Sequence, residues 1–248
     1  MNTANETPMN GAKEFLDGDM NYMSEFAGQG LEEMQGDAVS VGYLSIVQPG
    51  SSFEDDEHAV GTWRNSASNR CLGNTVTVVP LAFKTIWVER DADTFSTVAR
   101  YAPHDTSVQV EIRNPPAGKR GFPKMYNKAT GNEIQELFVY AVMLPDYPEE
   151  GVIYFQPTAG SMRACKSWNT QLKGQILPNG AQAPIFAYSW DLYLEVGSNA
   201  SGKSFARLAR AAKNTLVNKD LFNNNIKPVL ADVRSNTLAI TSNVEVEE

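Results

Sequence analysis

Between Phe186 and Val196 the chain alternates without a break. Phe186, Tyr188, Trp190, Leu192, Leu194 and Val196 are interleaved with Ala187, Ser189, Asp191, Tyr193 and Glu195. A period of two sends neighbouring side chains to opposite faces of an extended chain, so this run predicts a strand with one face on a core. Val108, Val110 and Ile112 alternate in the same way with Gln109, Glu111 and Arg113. Four further runs, residues 38–48, 74–90, 134–144 and 151–157, are rich in Val, Ile, Thr and aromatics and bounded by Pro, Gly and Asn. They read as strands as well. Two stretches follow a helical period instead. In residues 161–173, Met162, Cys165, Trp168 or Asn169, and Leu172 recur every three or four residues. From Ser204 to Leu216, Phe205, Leu208, Ala209, Ala212 and Leu216 share one helical face, with Lys203, Arg207, Arg210 and Asn214 on the other. The expected fold is mainly β with attached helices (α+β), a strongly curved antiparallel barrel. Residues 1–36, polar, acidic and glycine-punctuated, are expected to be a flexible front end; 37–241 form the domain, and 242–248 a short acidic tail.

One motif argues for different chemistry. Gly197-Ser-Asn-Ala-Ser-Gly202-Lys203-Ser204 satisfies the phosphate-loop pattern G-x-x-x-x-G-K-[ST]. In a nucleotide hydrolase such a loop joins a strand of a parallel sheet to a helix, and a later strand presents an Asp to Mg²⁺. Here the strands follow one another with few helices between them. Only 44 residues come after Ser204, and their one weak strand candidate is Pro228–Asp232. The stretch reads better as a glycine-serine turn.

Length and composition, with 248 residues, 42% hydrophobic and 20% charged, suit one folded core with an appended tail. No apolar run reaches membrane-spanning length and the first residues lack a signal-peptide core, so the cytoplasm is the expected location. Cys71 and Cys165 belong to no C-x-x-C pair and are expected to be reduced. Two histidines, His58 and His104, are too few for a His-rich metal site, and no nucleophile-elbow serine accompanies His104-Asp105. The acidic run Glu54–Glu57 lacks the ligand spacing of a calcium loop. No cofactor and no catalysis are expected.

Charge changes the picture more. The net charge is −8, yet residues 1–62 hold one base, Lys13, against twelve acids, while residues 63–248 carry a net +3. Three segments of the body are basic and free of acids. Lys119–Lys128 contains Lys119, Arg120, Phe122, Lys124, Tyr126 and Lys128; Ser161–Gln175 contains Arg163, Lys166 and Trp168; Gly197–Lys219 contains Lys203, Arg207 and Arg210. Cations interleaved with aromatic rings are what a groove for single-stranded nucleic acid needs: phosphates follow the charges and bases stack on the rings.

Several segments, in order, resemble tailed-phage proteins described as single-stranded DNA-binding. They are "GQGLEEMQGDAVSVGYLSIVQPGS" from Gly28, "GTWRNS" from Gly61, "NTVTVVPLAFKTIWVERD" from Asn74, "SMRACKSWNTQL" from Ser161 and "APIFAYSWDLYLEV", followed by Gly202-Lys203-Ser204-Phe205. The resemblance implies an OB-type barrel of five curved strands with a helix between the third and fourth, and a role in phage DNA replication or recombination. Arg113, Lys119, Arg120, Lys124, Lys128, Arg163, Lys166, Lys203, Arg207 and Arg210 are then the expected phosphate contacts. Trp63, Phe122, Tyr126, Trp168 and Tyr193 are the candidate stacking rings, Tyr193 first because it lies on the polar side of its strand. The expected partners are single-stranded DNA, replication or recombination proteins drawn to the acidic segments, and further copies of the chain. A β-rich virion or assembly protein with an acidic interaction arm is the alternative, and a phosphate-loop protein the third.

Overall fold

In a computed structural model of the chain, residues 42–55, 58–103, 105–115, 123–198, 202–231 and 233 are described, and they fall within one unit, Val41–Glu248. The front end 1–36, the tail 242–248 and His104 lie outside them. The strands are β1 (Leu44–Ile46), β2 (Trp63–Asn65), β3 (Cys71–Gly73), β4 (Thr75–Arg90), β5 (Thr97–Tyr101), β6 (Val110–Arg113), β7 (Lys124–Asn127), β8 (Glu133–Met143), β9 (Val152–Phe155), β10 (Tyr188–Ser198) and β11 (Ser204–Leu216). Helix α1 spans Met162–Lys173. Helix α2 begins at Lys219–Leu221, widens to a π-helical stretch at Phe222–Ile226 and runs on to residue 231.

Two long strands organise the rest. β4 and β8 pair antiparallel from Val79↔Met143 to Arg90↔Glu133. Their far edges are each shared by two partners. The first residues of β4 pair with β10 and its last with β5; the first residues of β8 pair with β7 and its last with β9. The proximal half of the sheet therefore runs β9-β8-β4-β10-β11, and the distal half β6-β7-β8-β4-β5. Pro80 cannot donate to a ladder, and the register shifts between Pro80 and Ala82, so a bulge bends β4 where its two halves meet.

Both faces of the β4–β8 pair are covered, which is why 134–144 is apolar with little alternation. On one face Val76, Val78, Phe138, Tyr140, Trp190, Leu192 and Leu208 pack against Cys165, Trp168 and Leu172 of α1. On the other, Val79, Leu81, Ile86, Val88, Val139, Ala141 and Met143 lie under Ile226 and Val233, with Phe222, Val229 and Leu230 beside them. Residues 228–231, weakly strand-like in sequence, are helical in this cover.

Ser204–Leu216, expected as a helix, is strand β11. It pairs with β10 from Ser198↔Ser204 to Tyr188↔Leu216, with a register shift where Tyr193↔Arg210 gives way to Leu194↔Leu208. Ala209 is the extra residue. Buried Ala206, Leu208 and Ala211 are thus spaced by two and then three, and a spacing of three in an alanine-rich run imitates a helix. Backbone pairing with β10 outweighs the helix propensity of those alanines.

The sheet is mainly β and curved, but β9 and β11, the ends of its proximal path, do not pair, so strand pairing closes no barrel among the described residues. β1 stands beside the gap. Tyr43 makes a parallel bridge to Tyr154, and the Gln48 amide both accepts from Ala206 N–H (3.0 Å) and donates to Ala206 C=O (2.8 Å). Ser161 Oγ accepts from Leu208 N–H at 3.0 Å. Side chains thereby satisfy backbone groups that an open strand edge leaves exposed. No helix of the described residues is long and apolar enough to cross a membrane.

His58 fastens the loop between β1 and β2. It is 1% exposed, with Nδ1 2.8 Å from Asp55 Oδ1 and Nε2 2.9 Å from Asn69 C=O. Both ring nitrogens face acceptors, and only the imidazolium carries two N–H donors. The Asn69 carbonyl first, and then Asp55, raise its pKa above the usual 6.5. Its contribution to stability is full below that usual value and is lost as pH rises through the raised one. An NMR titration of the ring is expected to give a midpoint above 6.5, and Asp55→Asn to bring it down.

Candidate nucleic-acid interface

The β10–β11 hairpin carries the strongest group of exposed cations and rings. Thr75 and Thr77 of β4, Asp191 and Tyr193 of β10, and Arg210 of β11 are cross-strand partners and so share a face. Thr77 Oγ1 and Asn214 Nδ2 both donate to Asp191 Oδ1, at 2.8 and 2.9 Å. Tyr193 is half-buried, with the Arg210 guanidinium 4.2 Å from its ring centroid. One turn of register away, Arg207 forms a two-point contact with Glu195 at 2.6 and 2.7 Å and lies 5.4 Å from the Phe205 ring. Lys213 sits 4.4 Å from the ring of Tyr188.

Helix α1 adds to this surface. Its buried side, Cys165, Trp168 and Leu172, fixes the opposite side outward, where Arg163 and Lys166 are exposed. The docking of Ser161 onto the β11 edge places Arg163 and Ser167 across from Glu195 and Arg207, around an open cleft of about 370 Å³. Gly160 lies beside Phe205 and Arg207 at the edge of this cleft. Lys203, at the start of β11, is exposed at the tip of the hairpin. Sequence reasoning passed over Phe205 and Lys213 because a helical reading of 204–216 gives them no ring or cation to meet.

The basic residues do not form one groove. Arg113, Lys124 and Lys128 lie on β6, on β7 and in the β7–β8 turn, at the distal end. β10 pairs with Thr75–Val78, whereas β7 reaches the sheet opposite Glu89 and Arg90. Those points are roughly 35–40 Å apart along the strand. The distal cations are also partly neutralised. Arg113 contacts Glu111 (3.2 Å) and covers Tyr126 at 4.4 Å, and Lys124 meets Glu133 at 2.5 Å. Lys119, Arg120 and Phe122 lie outside the described residues.

Two expected stacking residues are corrected. Trp63 is 0% exposed, edge-on to Phe155, and its Nε1–H donates to Leu192 C=O at 3.1 Å. Trp168 is also 0% exposed and stacked on Tyr140. Neither ring has a face to offer a base. Burial likewise makes Cys165 an inert thiol, its pKa pushed up to about 12. The phosphate-loop pattern is not realised: Gly197 pairs with Phe205 and Ser198 with Ser204 in a hairpin, and a strand rather than a helix follows Lys203. Among the described residues no three His, Cys, Asp or Glu side chains converge on a possible metal site.

A family model described as Pam3 phage gp34-like protein matches residues 11–238. No curated protein and no solved structure matches the chain.

Proposed function

The chain belongs to the Pam3 phage gp34-like family, a family of phage proteins, and we propose that it is a non-catalytic single-stranded DNA-binding protein acting in phage DNA replication or recombination. The observation that carries the reading is the exposed Arg210 laid over the half-buried ring of Tyr193, with Arg207 on the same face of the hairpin and Arg163 across the cleft at the β11 edge. A strand laid along β11 meets cations at phosphate height and a ring at base height, without groups aimed at one base sequence. The path β9-β8-β4-β10-β11, with α1 between β9 and β10, supports an OB-type reading. In such folds the face of the second and third strands and the loop between the fourth and fifth are the usual contact regions. Here α2 covers the β8–β9 side, so the β10–β11 hairpin is left for DNA. The acidic segments are proposed contacts for replication or recombination proteins.

Fluorescence anisotropy of a labelled dT oligonucleotide across a salt series tests the proposal. Tyr193→Ala is expected to weaken binding by about 1–3 kcal/mol, the worth of one stacked base. Arg210→Ala is expected to reduce the log–log salt slope by about 0.7, the share of one phosphate on a single strand. No binding at low salt overturns the reading. It would favour an assembly role, to which exposed Val98 and Ile112 on the outermost distal strands point. Sedimentation would then show a DNA-free oligomer.

A further inference from the structure

The distal half of the sheet holds a small cleft that the hairpin surface does not explain. Its volume is about 160 Å³, and Arg90, Asp91, Phe95, Tyr126, Glu133 and Gln135 line it. Cross-strand register places Arg90, Glu133 and Tyr126 in one row on the same face. Lys124 and Arg113 flank that row through their contacts with Glu133 and Tyr126.

Phe95 is the unusual member. It sits in the β4–β5 turn, where its N–H bonds Asp91 C=O (3.1 Å) and Asp91 N–H bonds Ser96 C=O (3.0 Å). Its φ is +59°, a left-handed conformation that glycine or asparagine adopts readily and a bulky side chain adopts at a cost. The ring is nevertheless 70% exposed. Phenylalanine at this position therefore serves neither the backbone nor the core. An aromatic held out at conformational expense beside a cleft points to a ligand.

We infer that this cleft is a second binding site, for a single nucleobase of the same single-stranded nucleic acid, an inference that rests on the proposed function. Two rings and an arginine provide surfaces for a flat heterocycle. Gln135 donates to Glu133 at 3.2 Å, and its carbonyl oxygen makes no hydrogen bond to a described residue. Asp91 Oδ1 is taken up by the turn, where it accepts from Asp93 and Thr94, and one Arg90 nitrogen donates to Thr97. The Gln135 carbonyl and the remaining Arg90 N–H groups are thus the acceptor and donors for a base edge, whereas an aromatic side chain of a peptide has no such edge to satisfy. Lys124 and Arg113 stand where the attached phosphates would run. The connection between β4 and β8 carries the cleft's Phe95 and Tyr126, and in an OB-type arrangement the loop after the first strand is a contact region alongside the loop after the fourth.

The test is Phe95→Gly in the full-length protein, measured beside Arg210→Ala. Glycine relieves the left-handed strain, so the variant is expected to melt no lower than wild type, while its dT-oligonucleotide affinity falls by about five- to tenfold. An oligonucleotide carrying 5-iododeoxyuridine is expected to crosslink to the peptide containing Phe95. If Phe95→Gly binds like wild type while Arg210→Ala is weakened, the cleft is not a base site and the proposed function stands. If wild type binds no oligonucleotide at low salt, both readings fall. Loss of self-association in Phe95→Gly with unchanged DNA affinity would also overturn the inference, making Phe95 a protein contact.

Discussion

Replacing Trp168 with alanine is expected to destabilise the domain by about 3–5 kcal/mol, the range for deleting a large buried aromatic. Trp168 joins α1 to a train of rings that runs across one face of the proximal sheet and ends on β2. Its ring is stacked on Tyr140 at 4.6 Å and 23° and edge-on to Trp190 at 6.2 Å, while Tyr140 continues onto Phe155 and Phe155 onto Trp63. Alanine leaves a void between helix and sheet that surrounding rings, held by their own neighbours, cannot fill. Trp168→Phe is expected to cost much less, within about 1.5 kcal/mol, because most of the volume stays. The indole Nε1–H also has no hydrogen-bond partner among the described residues, so phenylalanine removes a buried donor that is not satisfied. Urea and thermal melts of both variants measure the difference. Folded Trp168→Phe is expected to bind oligonucleotide like wild type; a loss of binding without a loss of stability would mean that this ring does touch DNA.

Glu89→Gln is expected to cost about 2–3 kcal/mol, though it removes no volume. Glu89 is 1% exposed, and its carboxylate accepts from four donors. Thr130 Oγ1 and Asn132 Nδ2 donate to Oε1, the latter at 2.8 Å; Tyr101 OH (2.6 Å) and Asn127 Nδ2 (2.8 Å) donate to Oε2. A glutamine amide offers one acceptor oxygen and turns an N–H₂ toward the remaining donors. The hydroxyls can rotate, but Asn127 cannot flip freely, because its Oδ1 accepts from Ala129 N–H. Burial alone would raise the Glu89 pKa; the four hydrogen bonds outweigh it and leave the value below 4.5. Burial first, and then its own bond to the Glu89 carboxylate, push the Tyr101 hydroxyl up to about 12. A depressed carboxylate pKa stabilises the fold above its ordinary value and ceases to do so as pH falls through the folded one. Wild type is therefore expected to lose stability below about pH 4.5, and Glu89→Gln to show a shallower acid transition. The knot ties β5, the end of β7 and the β7–β8 turn to β4.

Much of this was legible along the chain. Strict alternation from Tyr188 to Leu194 dictates a strand whatever it pairs with, because a period of two puts its apolar side chains on one face. The alternation overreaches at its ends, where Phe186 falls in a 3-10 turn and Val196 is exposed. The apolar spacing of 161–173 dictates α1 for the corresponding reason at a period of 3.6. Grouped cations and an isolated tyrosine on the polar side of a strand marked the hairpin surface, since charge is a property of composition that folding rearranges but does not remove. The rest needed the third dimension. A single extra residue, Ala209, gave β11 a helix-like spacing, and only its pairing with β10 reveals the bulge. Trp63 and Trp168 have the same chemistry on a surface as in a core, so their burial depended on which elements meet. The separation of the cations into two ends follows from the length of β4 and the register of its partners, and the exposure of Phe95 from a left-handed turn. A linear sequence specifies which residues attract or avoid water; which of them stand side by side is decided by packing between strands distant in the chain.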